Sequence, residues 1–298
     1  MRHSLFRIPY IGVGIGLRNE IAEKTLQHGN EIDVLEIIAE KFFSDKPTPL
    51  HFLERFSERF PIIPHGIKLS IGSAEPYDEK FLRQMRGLVE HVQAPYYSDH
   101  FTLAHEGWEY DTGHLSPLWY TKEMLEHVIE RVHRVQDYIG VPLVLENITA
   151  PFVLPGADFA EAEFIAKVHE RTGCGLLLDV TNVHINAYNR GEDALALLKE
   201  YPMEAVIQVH LAGGAISHGY FYDTHSEELV GPNEGVWELF QWVVQHSSVR
   251  TVIIERDDNF KPNFETMILT DLRRARSYME EGRASREGRS VGKAANVL

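Results

Sequence analysis

Nine residues suited to binding metal ions follow one another through this chain: His65, His100, Glu146, Asp179, Asn182, His210, Asp223, His225 and Glu255. Each lies at or soon after the end of a short apolar run. Glu36, Asp99, Asn147 and His184 occupy the same kind of position and are candidate catalytic residues beside them. Ionised carboxylates next to a buried core are costly unless they are paired or bound to metal. So many acids and imidazoles at equivalent places call for a common neutraliser, and a set of cations supplies it. Imidazole and carboxylate without thiolate suit zinc, iron or manganese, and argue against a soft-metal or iron–sulfur site. One such residue alone carries little, because a lone His at a strand end is more often a hydrogen-bonded structural residue. Glu36 and Glu40 read equally well as helix-start or surface carboxylates. The shared register of the whole set decides for a metal cluster. His105, His114, His133, His169 and His246 fall in loops or helices and are assigned to the solvated surface.

The elements that must position this set alternate from start to finish. Candidate strands are 11–16, 33–38, 62–67, 96–100, 142–147, 175–180, 206–211 and 251–255. Several are continuous apolar runs, such as Leu143-Val144-Leu145 and Leu176-Leu177-Leu178, as parallel strands buried on both faces require. Helical patterns fall near 18–28, 47–59, 78–92, 121–138, 159–171, 191–199, 234–246 and 264–280. After Thr121, for example, Met124, Leu125, Val128, Ile129, Val132 and Val135 form one apolar stripe. This alternation predicts an α/β fold, a single (β/α)₈ TIM barrel over 1–281, with a doubly wound open sheet as the alternative. In such a barrel the chemistry lies at the C-terminal strand ends, where the candidates fall. From Gly282 onward large apolar residues almost vanish, which predicts a disordered tail over 282–298.

Composition narrows the partners. A formal net charge of −15 gives no global field towards nucleic acid or anionic membrane, so neither is expected as a partner. No apolar run approaches the ~20 residues of a membrane helix. The first residues read as a strand rather than a signal peptide. The single cysteine, Cys174, rules out an internal disulfide and fits a cytoplasmic location. It precedes the sixth strand, at the far side of the barrel from the candidates, and reads as a packing residue. Gly12-Val13-Gly14-Ile15-Gly16 is a weak dinucleotide-loop pattern and better explained by close packing at the first strand.

The ordered set resembles the trinuclear site of the xylose-isomerase-like barrels, which endonuclease-four-type DNA repair enzymes carry with zinc. The fuller motifs look like another branch, the multinuclear non-heme iron-dependent oxidases, a family that includes the methanobactin-biosynthesis oxidase. Those motifs are Pro-His-Gly-Ile-Lys-Leu-Ser-Ile-Gly (64–72), Ser-Asp-His (98–100), Leu-Glu-Asn (145–147), Gly-Cys-Gly-Leu-Leu-Leu-Asp-Val-Thr-Asn-Val-His (173–184), His-Leu-Ala-Gly (210–213), Asp-Thr-His (223–225) and Ile-Glu-Arg-Asp (254–257). The likeness runs from about residue 11 to 276.

This resemblance implies two or three irons of mixed Fe(II)/Fe(III) state. His65, His100 and Glu146 would hold one. Glu146 would bridge to a second, held also by Asp179, His210 and Glu255, and Asn182, Asp223 and His225 would hold a third. It also implies O₂ as co-substrate, a ribosomally made precursor peptide modified most often at cysteine, and a separate protein that presents the leader peptide. Hydrogen would be taken from the cysteine β-carbon while a neighbouring ferric ion acts as Lewis acid. Three positions depart from the family's usual pattern: Lys41, Arg190 and Gly214 stand where Asn, His and His are common. They lie where substrate would approach and bear on the substrate rather than the cluster. Two other readings stay open: a zinc or manganese hydrolase or isomerase on the same barrel, and a metal-binding scaffold without catalysis. The negative charge argues against DNA cleavage.

Overall fold

Apolar runs flanked by amphipathic helices close into a ring. The computed structural model describes residues 5–43, 48–105, 111–150, 152–260 and 264–295. The strands are β1 (Gly12–Gly16), β2 (Val34–Ile38), β3 (Ile62–His65), β4 (Tyr97–His100), β5 (Thr102–His105), β6 (Asp111–Pro117), β7 (Leu143–Glu146), β8 (Gly175–Asp179), β9 (Val206–Leu211), β10 (Ala215–Ser217), β11 (Tyr220–Tyr222) and β12 (Thr251–Ile254). Eight of them form a closed parallel barrel in the order β1-β12-β9-β8-β7-β4-β3-β2. All eight expected strands are therefore present, and the open-sheet alternative is excluded.

The helices are α1 (Ala22–Gln27), α2 (Thr48–Ser57), α3 (Glu79–Val92), α4 (Lys122–Ile139), α5 (Glu161–Thr172), α6 (Val180–Arg190), α7 (Ala194–Leu198), α8 (Gly235–His246) and α9 (Leu269–Ala295). The apolar stripe expected in α4 faces the core, and the helix is punctuated as its sequence predicts. Thr121 Oγ1 accepts from Met124 N at 3.2 Å, and Gly140 ends the helix at φ 88°. Three elements were not legible. These are α6 and the antiparallel hairpins β5–β6 and β10–β11, which lie on the loops after β4 and β9. α9 continues past Gly282 as far as Ala295. Arg, Ala, Glu and Lys are good helix formers, and Gly282 lets the helix approach the Val244 carbonyl more closely than a Cβ would allow.

Side chains inside the barrel alternate along each strand. A compact interior layer contains Val34, Ile63, Tyr96, Val144, Leu177, Ile207 and Ile253, with Ile8 from the segment before β1. Two residues further along five of these strands stand Glu36, His65, Glu146, Asp179 and Glu255. The same strand period that fills the barrel floor with hydrocarbon thus delivers polar groups to the layer above it. Gly14 permits the close approach of β1 and β2, since a Cβ there would lie 1.8 Å from the Val34 carbonyl oxygen. That supports the packing reading of the glycine run.

Candidate metal centre

At the C-terminal end of the barrel the strand-end residues converge. His65, His100 and Glu146 bring one ligand atom each within 4.8 Å of one another, and so do Glu146, Asp179, His210 and Glu255. Glu146 belongs to both groups. Its Oε2 lies 3.4 Å from His65 Nε2 and 3.3 Å from His100 Nε2, and its Oε1 is 3.2 Å from His210 Nδ1. Glu255 Oε2 approaches the same His210 nitrogen at 2.9 Å.

Outward partners fix which nitrogen of each imidazole faces inward. His65 Nδ1 is 3.0 Å from Ser98 Oγ, and His100 Nδ1 is 3.1 Å from the Gly66 carbonyl oxygen. A proton held on Nδ1 for that carbonyl leaves His100 Nε2 with its lone pair towards Glu146. His210 is turned the other way. Its Nε2 lies 3.1 Å from both carboxylate oxygens of Glu36, so Nδ1 faces the centre. Gln208 Nε2 donates to Glu36 Oε2 at 2.5 Å, and Tyr96 Oη donates to Gln208 Oε1 at 2.6 Å.

Asp179 ends β8 and starts α6 in one residue. Its Oδ1 caps the helix by accepting from Asn182 N at 2.9 Å. Its Oδ2 is buried without a hydrogen-bond partner. Glu146 Oε2 and Asn182 Oδ1 share that state, while His210 Nδ1, Asp223 Oδ1 and His225 Nε2 face only other atoms of the same set. Buried polar atoms nearly always find a partner. Orphaned oxygens and nitrogens crowded face to face are what a set of bound cations would satisfy. The residues present therefore fit metal ions, with a donor set of imidazole and carboxylate.

The charge balance agrees. Burial opposes ionisation of Glu146, but the imidazoles of His210 and His100 outweigh it and hold the carboxyl down at about 2. Burial also opposes protonation of His100, yet Glu146 and Asp99 raise it to about 9. Burial pushes His65 down, while burial and the Glu146 charge push Asp179 well up. Protons on imidazole and carboxyl thus stand where cations would compensate the same carboxylates.

The third expected group is assembled differently. His225 Nε2 contacts Asp223 Oδ1 at 2.7 Å and lies 3.8 Å from Asp179 Oδ2, and Asn182 Oδ1 is buried without a hydrogen-bond partner. His225 Nδ1 faces a second set, Glu255 at 3.6 Å and Asp257 at 3.8 Å. His225, Glu255 and Asp257 form a third group able to hold a metal, and Asp257 was missing from the expected set. Arg18 Nη2 holds the other face of Asp257 at 2.6 Å. His225 adopts φ 47°, a left-handed conformation uncommon for a side-chain-bearing residue. The Asp257 amide donates to its carbonyl at 2.8 Å and helps to pin it there.

The four candidate catalytic residues lie behind or beside the ligand atoms. Glu36 orients His210. Asn147 is spent on the Asp179 backbone, donating to its carbonyl at 3.0 Å and accepting from its amide at 2.8 Å. Asp99 is fully buried and accepts from Tyr97 Oη, from Leu69 N at 3.3 Å and from His100 N at 2.8 Å. His184 points to the Pro232 carbonyl at 2.9 Å and packs edge-on against Phe221. None of the four is among the grouped ligand atoms, because side-chain direction at a strand end is set by partners remote in sequence. Glu40 Oε1 accepts from Ile67 N and Lys68 N, both at 2.8 Å, and so holds the loop after β3. His105, expected at the surface, is buried in β5 with Nε2 2.9 Å from the Lys68 carbonyl oxygen. Cys174 is buried, and burial raises its thiol to about 11, in keeping with a packing role.

The chain is thus a (β/α)₈ barrel whose C-terminal mouth gathers histidines around a shared carboxylate in groups able to hold metal ions. Residues 12–280 match the family described as RiPP precursor modification enzyme MbnB/TglH/ChrH, and the chain belongs to that family of enzymes acting on ribosomally made precursor peptides. A UPF0276 protein of Anaeromyxobacter sp. is 36% identical over 252 residues, covering 85% of this chain and 88% of its own. A UPF0276 protein of Acinetobacter baylyi is 33% identical over 290 residues, covering 97% and 96%. Among solved structures, endonuclease IV from Thermus thermophilus aligns with TM-score 0.58 at 18% identity over 91% of this chain and 99% of that one. An L-ribulose 3-epimerase aligns with TM-score 0.57 at 14% identity, covering 94% and 97%. At such identities these two establish the barrel and no more. No helix among the described residues is long and apolar enough to cross a membrane.

Proposed function

We propose that this protein is a multinuclear iron- and O₂-dependent oxidase that modifies a precursor peptide at a cysteine. The observation that carries the reading is the position of Glu146, one carboxylate shared by two groups of potential ligands in a member of a peptide-modifying family. His65, His100 and Glu146 would hold one ion. Glu146, Asp179, His210 and Glu255 would hold a second, and His225 with Asp223 and Asn182 a third. Bound iron would supply a place for thiolate and O₂, redox electrons and Lewis acidity.

The protein's own part is positioning. Ser98, the Gly66 carbonyl and Glu36 fix the three imidazoles, and Asn147 fixes the backbone at Asp179. The hydrocarbon layer beneath closes the barrel floor, so substrate arrives from the C-terminal mouth. A leader-binding partner protein and a cytoplasmic location belong to the same proposal. The test is metal analysis with an absorption spectrum, on protein purified without added metal. At least two irons per chain, one for each group sharing Glu146, with a ferric band, is the expected result. Stoichiometric zinc without iron overturns it and returns the hydrolase or isomerase reading. Dioxygen uptake with a candidate peptide separates the oxidase from a scaffold.

A further inference from the structure

A second concavity lies beside the barrel mouth, outside the metal centre. It has a volume of about 370 Å³ and opens between the segment after β7, the start of α5, the end of α6 and α7. Leu118, Leu154, Phe159 and Leu197 give it apolar walls. Phe152 and Val153 also line it yet are 57% and 65% exposed, large apolar side chains left to solvent. Its polar lining is one-sided. Glu192, Asp193 and Glu200 line it with a single arginine, Arg190, and Asp193 Oδ1 also caps α7 by accepting from Ala196 N at 2.7 Å. That arginine is already engaged: Nε and Nη2 donate to the Ala150 carbonyl at 3.3 and 2.8 Å, and Nη1 lies 4.0 Å from Glu192.

Apolar walls with surplus carboxylates complement one chemistry, a cationic head on a hydrocarbon stem. We propose that this cavity anchors the precursor peptide by a lysine or arginine side chain flanked by an apolar residue. The stem would lie on Leu197 and Phe159, the charged head among the carboxylates, and the neighbouring apolar side chain on Phe152 and Val153. The inference rests on the peptide-modifying reading and adds where, and by what chemistry, the peptide is gripped.

Placement gives it reach. The cavity is walled by the two segments that leave the metal centre, the chain after Glu146 and the helix that begins at Asp179. Along α6, Arg190 lies about 12 Å from Asn182 at the usual helix rise. An extended peptide covers that span in about four residues. The recognised basic residue therefore sits about four positions from the residue presented to the metal centre.

The test is binding to the metal-loaded full chain, followed by fluorescence anisotropy. The probes are fluorescein-labelled synthetic peptides centred on Leu-Lys-Leu or Leu-Glu-Leu. The lysine peptide is expected to bind at least about tenfold more tightly. Ala196→Trp fills the cavity from an exposed helix position, and Glu200→Lys reverses a rim charge. Each should weaken the lysine peptide by about tenfold while metal content and melting temperature stay as in the wild type. Equal binding of the two peptides, or undiminished binding by both variants, overturns the proposal. Failure of the oxidase reading would appear elsewhere, as zinc in place of iron or absent O₂ uptake, and would leave the lysine preference intact.

Discussion

Glu36 holds His210 from the side opposite the metal centre: Nε2 lies 3.1 Å from each carboxylate oxygen, and Nδ1 is thereby turned to Glu146 and Glu255. Both side chains are buried. A carboxylate behind an imidazole raises its basicity and fixes its ring, and loss of such a partner typically weakens metal binding 10–100-fold. Glu36→Gln should therefore lower metal affinity by about that range, read by chelator competition. A fall in melting temperature with unchanged affinity would assign Glu36 a packing role instead.

Glu146 is common to two ligand groups, whereas His225 belongs to only one group of the three. Glu146→Ala should remove metal from both of its groups, and His225→Ala from the outer position alone. Plasma mass spectrometry on the two purified variants checks this. Equal losses would mean that the ions are held cooperatively rather than group by group.

Asn147 satisfies both the amide and the carbonyl of Asp179 in a fully buried setting. Truncation to Ala orphans those two backbone groups, at about 1–3 kcal/mol for each left without water. Asn147→Ala should lose roughly 2 kcal/mol or more in urea unfolding. It should also bind metal less tightly, because the Asp179 backbone is no longer clamped.

Glu161 provides a pH dependence away from the metal centre. Burial raises its carboxyl to about 7 from an ordinary 4.5, against the opposing pull of Arg190. Below about pH 4.5 both folded and unfolded chains hold the proton, and the group contributes nothing. Between 4.5 and 7 only the folded chain keeps it, so stability falls as pH rises, by an upper figure of about 3 kcal/mol. Glu161→Gln should flatten that fall, gaining stability at pH 8 and none at pH 4 in urea titrations at matched metal content. An unchanged pH profile would show that the carboxyl is solvated.

Sequence alone determined the barrel and the strand ends on which its chemistry stands, because both follow from local periodicity. Buried parallel strands are continuous apolar runs, and a residue two places beyond an inward core residue also points inward, as with Val144 and Glu146 or Ile253 and Glu255. Local signals failed at α6. Its Asn182, Asn186 and Asn189 with Val180, Thr181, Val183 and Ile185 are poor helix formers, and the helix stands on its Asp179 cap and its buried face. Only the tertiary structure decided roles within the site. Sequence placed Glu36, Asn147 and Asp99 beside the ligands without giving their partners, and left Asp257 and Arg18 aside. Whether a carboxylate meets a metal, an imidazole or a backbone amide depends on distances of a few ångströms between strands far apart in the chain. Those distances exist only once the barrel has closed.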